Sequence, residues 1–367
     1  IFNAGAMVEA PIGKTGSFLI GARTSYIGPV ISAAIPPNSG NFTVAPSFSD
    51  VLGIYDFDIT HRDHFRLTAV GSIDTLTFLQ SRPIGRDPSL RFNNQTAFIR
   101  LIPQFTHRHS DRTHSKISFG LGRDWTTVDL STQFFRLFAW TLTTRGEIER
   151  KMFPWWTSGL GFDHRYAWAD VFTKIITNGT GGGGIEREVS LRGAKSHQIG
   201  LYWRNELRPF GEDSPLTVIP TGRLDYYPVI NDIVPAPRLA VRYVPVETWL
   251  VRLAGGLYSQ PPQEIERSVD FGNPNIRAPR SWHVSAGLEK DFRGGGSKGF
   301  VATLGGFYRA FDQLVIPTSA MVEKDGSLAP LNYTNDGKGR AFGGEAMVKY
   351  DIGPVDGWLA YTLSRST

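Results

Sequence analysis

The chain alternates apolar and polar residues in many short stretches, and this period of two recurs through most of its length. In the segment 17–26, Phe18 and Ile20 share one parity, whereas Arg23 has the other. Successive side chains of a β-strand point to opposite faces, so this period predicts strands, and a helix would not sustain it. The same alternation occurs in 64–76, 116–125 and 281–292.

The connections between the predicted strands are alternately short and long. Eight short turns fall near 13–16, 61–64, 109–113, 151–156, 211–215, 244–248, 293–299 and 353–356. The longer connections, rich in Gly, Pro, Asn and Ser, are 27–47, 77–92, 173–195, 260–280 and 315–340. Short turns at one rim and long loops at the other are typical of an outer-membrane β-barrel. We therefore predict an all-β fold, an antiparallel transmembrane β-barrel with short periplasmic turns, long extracellular loops and about 16 strands in this chain.

Composition excludes several classes of protein. The chain has no cysteine, which rules out a disulfide framework and a thiolate zinc site. Its net charge of +5 arises from 39 basic and 34 acidic residues that are spread along the chain, which argues against a nucleic-acid partner. No apolar run approaches the roughly 20 residues of a membrane-spanning helix, although barrel strands carry a much weaker signal.

One face of the predicted strands carries charged residues, which cannot pack into a dry core without partners. We expect that face to line a polar lumen and the apolar face to contact lipid. By parity, the candidate lumen-facing residues are Arg23, Arg66, Asp74, Arg204, Glu206, Arg223, Asp225, Arg238, Arg242, Glu289, Glu345 and Lys349. They form either a solvated wall of paired charges or a surface that grips a plug or guides a ligand. Asp56 breaks the alternation, because it shares a parity with Leu52 and Ile54.

Aromatic residues flank successive short turns. They are Phe153, Trp155, Trp156, Tyr243, Trp249, Phe292, Phe300, Tyr350 and Trp358. Amphipathic rings at the depth of lipid headgroups form such a girdle, although aromatic residues also favour strands in general. Their repetition at successive turns favours the girdle.

Three strings resemble chemical motifs, but each lacks the structural context that its motif requires. The string GGGSKG at 294–299 joins two strand patterns instead of opening a helix, so we predict a hairpin turn. The strings HRDH at 61–64 and HRHSDRTH at 107–114 hold five of the eight histidines, but both lie at short turns without helical spacing. We predict solvated turns there, and no catalytic, cofactor-binding or metal site.

The C-terminal half contains an ordered series of short strings. They are RLDYY at 223–227, PRLAVRY at 237–243, GLYSQPP at 256–262, FGNPN at 271–275, GFY at 306–308, NDGKGR at 335–340, GE at 344–345 and GWLAYTLSR at 357–365. This series resembles the barrel of TonB-dependent outer-membrane receptors. The strings at 6–13 and 16–26 look like the hairpin that follows that family's plug domain and first strand.

The resemblance implies a barrel of about 22 strands with a plugged lumen. Residues 1–367 then correspond to about strands two to seventeen, with the plug, the energy-coupling box, the first strand and the last strands lying outside. The implied function is active transport across the outer membrane of a Gram-negative bacterium. The implied partners are outer-membrane lipid, the TonB energy-coupling complex through the plug region, and a large ligand such as an iron–siderophore, cobalamin, a glycan or a peptide.

Three other interpretations remain open at this point. A passive porin of about 16 strands fits the strand count. A barrel enzyme needs a nucleophile or an activated water beside a base, and no such constellation is present in the sequence, so we predict no enzyme. A soluble all-β protein would instead bring the apolar faces together across a core.

Overall fold

The computed structural model describes residues 3–28, 30, 42–80, 91–178, 184–267, 272–324 and 326–367. This part of the chain is nearly all β-structure. The strands are β1 (Asn3–Ile12), β2 (Gly16–Ser25), β3 (Phe42–Asp58), β4 (Asp63–Gln80), β5 (Arg91–Ser110), β6 (Thr113–Leu130), β7 (Gln133–Phe153), β8 (Trp156–Asn178), β9 (Gly184–Leu207), β10 (Leu216–Tyr227), β11 (Asp232–Pro235), β12 (Arg238–Tyr243), β13 (Trp249–Ser259), β14 (Arg280–Asp291), β15 (Gly299–Pro317), β16 (Met321–Lys324), β17 (Ser327–Pro330), β18 (Tyr333–Asp351) and β19 (Asp356–Ser366). A one-turn helix, α1 (Glu264–Arg267), lies between β13 and β14. Among the described residues, no helix has the length and apolar character to cross a membrane.

Seventeen strands form one antiparallel sheet, and β16 and β17 form a separate hairpin. Strands β11 and β12 pair with β10 in one continuous register, in which Asp225 lies opposite Val234 and Thr221 lies opposite Arg238. Pro237 lies between the two strands and has no backbone N–H to donate. Counted as one interrupted strand, β11 and β12 reduce the seventeen strands to sixteen, which is the predicted number.

All eight predicted short turns are confirmed, since each joins two consecutive strands at its predicted place. The opposite rim differs from the prediction. Strands β8 and β9 continue through 173–178 and 184–195, so the long loop predicted for 173–195 was wrong in those parts. Backbone pairing does not depend on side-chain polarity, and strands can therefore extend past the apolar stretch. Residues 131–132 and 228–231 form two further short turns at this rim, with positive φ at Ser131 and Asn231.

The other predicted long connections are also shorter than expected where the structure describes them. Strand β4 reaches Gln80 and β3 starts at Phe42, while the rest of 27–47 and 77–92 lies mainly outside the described residues. The connection 315–340 contains the hairpin β16–β17, which supplies its backbone hydrogen bonds locally. Apart from α1, the described residues 260–263 and 272–279 of the predicted connection 260–280 are irregular, as predicted.

The chain divides into two compact units. Unit 1 comprises Ile1–His109, Ser115–Gly146 and His164–His197, and unit 2 comprises Ser110–His114, Glu147–Asp163 and Gln198–Thr367. In each unit, one face of the sheet carries charged residues, and the other exposes large apolar side chains. Examples of exposed apolar residues are Ile20, Val51 and Ile99 in unit 1, and Leu201, Leu224, Leu239, Leu253 and Leu304 in unit 2. Such apolar surface is unfavourable in water and suits contact with lipid.

Unit 2 also contains a small buried core at the long-connection end of its strands. It consists of Tyr227, Val234, Leu257 and Ala278. The segment 272–279 is attached to β11, because the Ala278 amide donates a hydrogen bond of 3.0 Å to Asp232 Oδ2. Ile276 and Ala278 of this segment are buried.

Candidate functional site

The charged face of unit 2 is organised around Arg223 on β10. Its Nη1 lies 2.6 Å from Asp163 Oδ2, and its Nη2 lies 2.8 Å from Asp225 Oδ1. Only 4% of the Asp225 side chain and 15% of the Arg223 side chain are exposed. A Cβ atom at Gly200 would lie 2.3 Å from Arg223 Nη2, so the glycine provides the space that this guanidinium occupies. The structure thus brings the predicted residues Arg223 and Asp225 together in a buried cluster of three charges.

A second group of paired charges lies on β7 and β9. Arg204 is 3.4 Å from Glu149 Oε2 and 3.3 Å from Glu206 Oε2, and Arg208 Nη2 is 3.1 Å from Glu206 Oε1. The Tyr202 hydroxyl donates a 2.6 Å hydrogen bond to Glu147 Oε2. The predicted residues Arg204 and Glu206 are therefore neighbours in a row of alternating charge. A network of alternating charges that are hydrogen-bonded to one another restricts the conformations of these side chains.

The remaining predicted residues of unit 2 share the same face by strand register. Arg242 on β12 lies opposite Arg252 on β13, and Arg252 lies opposite Gly287 on β14. Gly287 lies opposite Gly305 on β15, and Gly305 lies opposite Glu345 on β18. Glu289 accepts a 2.8 Å hydrogen bond from Arg252, whereas Glu345 and Lys349 form no ion pair with any described residue. Arg238 stacks on the Tyr258 ring, with its Cζ 4.3 Å from the ring centroid.

In unit 1, the predicted residues Arg23 and Asp74 are joined through two others. Arg23 Nη2 lies 2.5 Å from Asp50 Oδ2. The Ser72 hydroxyl lies 2.9 Å from Asp50 Oδ1 and 3.3 Å from Asp74 Oδ2. Arg66, in contrast, belongs to a separate pair in this unit.

Arg66 binds Asp56 through two hydrogen bonds, from Nε at 2.7 Å and from Nη2 at 3.0 Å. Asp56 lies directly opposite Arg66, so it belongs to the charged face. Leu52 and Ile54, which share its parity, are therefore apolar residues on the charged face, and they are the exceptions to the alternation. His64, at the start of β4, adds contacts of 3.1 Å to Asp56 and 2.8 Å to Asp58 beside the turn.

Sequence reasoning missed the acidic partners of its predicted arginines. These partners are Asp50, Asp56, Glu149 and Asp163. Glu149 and Asp163 have the parity of the polar face of their own strands, which was a usable signal. Asp50 and Asp56, in contrast, share their parity with Leu52 and Ile54. Parity does not say which residues lie opposite each other, and the strand register was needed for that. The assignment of the predicted set to a lumen stays a prediction.

The short turn between β9 and β10 carries an ion pair with β7. Lys151 Nζ lies 2.6 Å from Glu212 Oε1, and this hydrogen bond is the main reason that the pKa of Glu212 is lower than usual. A lowered pKa means that the contact stabilises the fold above the ordinary pKa of Glu. The stabilisation is lost as the pH falls through the lowered pKa.

We expect the substitution Lys151→Met to raise the pKa of Glu212 towards its ordinary value, because the charged donor is removed. A carbon-13 NMR titration of labelled glutamate carboxyls, assigned with Glu212→Gln, measures this shift. Lys298→Met, in the turn between β14 and β15, is the matched control and should leave the Glu212 titration in place. An unchanged titration in Lys151→Met would show that the contact does not form in solution.

Aromatic rings gather at the short turns, as the girdle prediction requires. Phe153, Trp155 and Trp156 stack with centroid distances between 5.7 and 6.1 Å. Lys290 Nζ lies 4.8 Å from the Trp249 ring centroid. Rings with a polar partner at one edge suit the boundary between lipid and water. Their depth in a membrane stays a prediction.

The three strings with possible chemical meaning all lie at short turns between consecutive strands. Gly294, Gly295 and Gly299 all have positive φ in the hairpin between β14 and β15, which confirms the predicted turn at GGGSKG. Within the described ranges, no group of three or more His, Asp or Glu residues is arranged to hold a metal ion. His107 pairs with Asp63 at 2.6 Å and packs edge-on against His109, so these rings have local partners.

The sheet matches solved structures of outer-membrane transporters and siderophore receptors. The outer membrane transporter YddB from Escherichia coli aligns with a TM-score of 0.71 and 10% identity, over 99% of this chain and 54% of that one. The ferric enterobactin receptor PfeA from Pseudomonas aeruginosa aligns with a TM-score of 0.69 and 13% identity, over 98% and 60%. The receptor FpvA from the same organism, bound to a pyoverdine–iron complex, aligns with a TM-score of 0.69 and 11% identity, over 100% and 55%.

The chain thus spans between 54% and 60% of the length of these three proteins, and identities this low show a common fold. No curated protein matches the sequence significantly. A sequence profile described as "TonB dependent receptor-like, beta-barrel" matches residues 16–367, which is nearly the whole chain. The antiparallel sheet, its two contrasting faces and this match agree with one another. The chain belongs to the TonB-dependent receptor-like β-barrel family.

Proposed function

We propose that this chain is the barrel portion of an outer-membrane receptor that takes up a large, scarce ligand, with energy from the inner-membrane TonB complex. The observation that carries the proposal is the family match over residues 16–367. Siderophore receptors among the proteins of the same fold favour an iron–siderophore complex over cobalamin, a glycan or a peptide. The proposed location is the outer membrane of a Gram-negative bacterium. Family and fold are those of receptors and transporters, not of enzymes.

The two faces of the sheet support this role physically. Exposed apolar side chains such as Leu224 and Leu253 suit lipid, and the opposite face carries charges that need water or polar partners. In the proposal, residues 1–367 form part of the barrel domain, and a plug domain outside this range contacts the charged face. The buried Arg223 cluster and the Arg204 row would give that plug a wall of fixed shape.

The test is uptake by the native host. We expect deletion of the parent gene to abolish uptake of radioactive iron presented as the host's own siderophore complex under iron limitation. Disruption of the TonB complex, or a protonophore, should reduce uptake to the level of the deletion strain. Uptake that persists without TonB would contradict the energy coupling, and unimpaired uptake in the deletion strain would contradict the ligand class.

A passive porin is the second candidate, and the sixteen strand positions favour it, because porins have 16–18 strands. A porin would conduct ions continuously in planar bilayers and admit small sugars without TonB. A plugged receptor should show little steady conductance. Conductance of the purified full-length protein therefore distinguishes the two functions independently of the ligand.

A further inference from the structure

Two histidines face each other across neighbouring strands of unit 1. The Nε2 atoms of His164 on β8 and His197 on β9 lie 3.0 Å apart, and the planes of the two rings make an angle of 78°. Both side chains are half-buried. Five other histidines have oxygen partners instead: His64, His107 and His114 contact carboxylates, and His109 and His283 contact serine hydroxyls. The pair on β8 and β9 differs from these, because each ring nitrogen is directed at another ring nitrogen.

The histidine pair lies on the apolar face of unit 1. His164 shares its parity with the exposed Trp168, which stacks on Trp140 of β7 with ring centroids 6.3 Å apart. Trp140 in turn shares its parity with the exposed side chains of Phe138 and Leu142. Tryptophan rings gathered on an apolar face suit the boundary between lipid and water. Dissolved ions would reach the histidines at such a boundary.

A hydrogen bond between the two rings would use only one nitrogen of each. One neutral ring would donate from Nε2, and the other would accept at Nε2. Neither Nδ1 atom has a hydrogen-bond partner among the described residues. A metal ion would use both rings in the same way: each keeps its proton on Nδ1, where water can accept it, and each directs the Nε2 lone pair at the metal.

The separation of the two Nε2 atoms fits two ligands of one metal ion. Histidine nitrogens lie about 2.0–2.1 Å from a bound metal, so two nitrogens 3.0 Å apart subtend an angle of about 90–100° at the ion. This is the angle between neighbouring ligands of a square-planar complex, whereas a tetrahedral zinc site needs about 109°. Square-planar geometry is typical of Cu²⁺ and Ni²⁺, and for a given set of ligands Cu²⁺ binds most tightly.

We propose that His164 and His197 form a binding site for a divalent copper ion on the apolar face of the sheet. The two imidazoles fill neighbouring positions of the ion, and water fills the others. The bound ion would join β8 and β9. This inference goes beyond the proposed receptor function and does not depend on it, since the uptake argument concerns the charged face and the family match.

The test uses the purified full-length receptor without a histidine tag, in detergent micelles, with CuCl₂ as the probe. Calorimetric titration should show one saturable copper site. Electron paramagnetic resonance of the first equivalent of copper should give a tetragonal spectrum, and its pulsed echo modulation should show two coordinated imidazoles. Zn²⁺ should compete for the site more weakly than Ni²⁺ does.

Variants identify the ligands. His164→Gln and His197→Gln should each weaken copper binding at least about tenfold, since even the loss of an outer-shell partner of a metal ligand costs about 10–100-fold in affinity. Each variant should also leave at most one imidazole in the echo modulation. His283→Gln is the matched control, because His283 is a half-buried strand histidine whose ring contacts only the Ser281 hydroxyl by hydrogen bonding, at 2.7 Å, among the described residues. It should bind copper like the wild type.

Three results would overturn the inference: no saturable copper binding to the wild type, fewer than two imidazoles in its echo modulation, or affinities in both β8 and β9 variants equal to that of the control. Heat-modifiable migration on gels establishes that each variant is folded before binding is compared. Any of these results would leave the proposed function intact, because TonB-dependent uptake is measured in a separate assay.

Discussion

Replacing Arg223 with methionine should lower the free energy of unfolding by about 3–5 kcal/mol, the usual cost of breaking a buried ion pair. The substitution would leave Asp225, whose side chain is 4% exposed, with no opposing charge. Asp163 would lose its 2.6 Å contact at the same time. Methionine fills a similar volume, so the effect comes mainly from the uncompensated Asp225 carboxylate and less from a cavity.

Equilibrium urea unfolding of the full-length receptor in detergent micelles, followed by tryptophan fluorescence, measures this loss. Arg252→Met is the matched control, because Arg252 is 52% exposed and, among the described residues, forms an ion pair with Glu289 alone. A pair this exposed should contribute about 0–1 kcal/mol. A loss in Arg223→Met no larger than in the control would show that the cluster is solvated and not buried.

A triple variant separates the charges from the packing. Arg223→Met combined with Asp163→Leu and Asp225→Leu removes the three charges together. Replacing a whole buried ion cluster by hydrophobic residues of similar volume is often close to neutral, so the triple variant should recover most of the stability that the single variant loses. A triple variant as unstable as the single one would mean that the shape of the guanidinium, and not its charge, holds β8 and β10 in place.

The fold class could be predicted from the sequence because its signals are local. A period of two and the eight short turns each depend on a few neighbouring residues, and all eight turns are in their predicted places. The sequence did not predict that β8 continues past residue 173 or that β9 begins before residue 195. Outside the apolar stretch, strand pairing depends on backbone hydrogen bonds, and these do not require alternating apolar and polar side chains.

The site was predicted in part, since parity identifies a face and not a partner. Arg223 and Asp225 are two residues apart on one strand, so their shared face was visible in the sequence. Asp163 is 60 residues away from Arg223, and only the order and register of β8 to β10 bring it within 2.6 Å. The row that runs from Arg238 to Arg309 has the same origin, because three strand registers connect these residues through Gly256 and His283.

Gly256 has a structural role that the pattern of apolar and polar residues does not predict. Arg238 can stack on Tyr258 only because no side chain stands at Gly256, where a Cβ would lie 2.7 Å from Arg238 Cγ and 2.9 Å from the Pro237 carbonyl oxygen. In the sequence this glycine looks like an ordinary strand glycine. Its role follows from the residue opposite it, which again requires the register.

An arginine at Leu253 should destabilise the protein far more than an arginine at the next residue, Ala254. Leu253 is 48% exposed on the apolar face, opposite Val241 and Ala286, whereas Ala254 lies on the charged face. Leu253 lies four residues from Trp249, which at about 3.3 Å per residue and a tilt near 40° corresponds to about 10 Å of membrane depth. That depth lies inside an apolar band about 25 Å tall.

At such a depth an arginine on the lipid face costs about 2–4 kcal/mol, and we expect Leu253→Arg to lose that much stability in phospholipid vesicles. Ala254→Arg carries the same charge on the same strand, and it should cost less than about 1 kcal/mol if its face is hydrated. Urea unfolding in vesicles measures both variants under one condition. A larger loss for Ala254→Arg would mean that the charged face is the tightly packed one. Equal small losses would mean that neither face meets lipid, and the transmembrane assignment of this sheet would then fail.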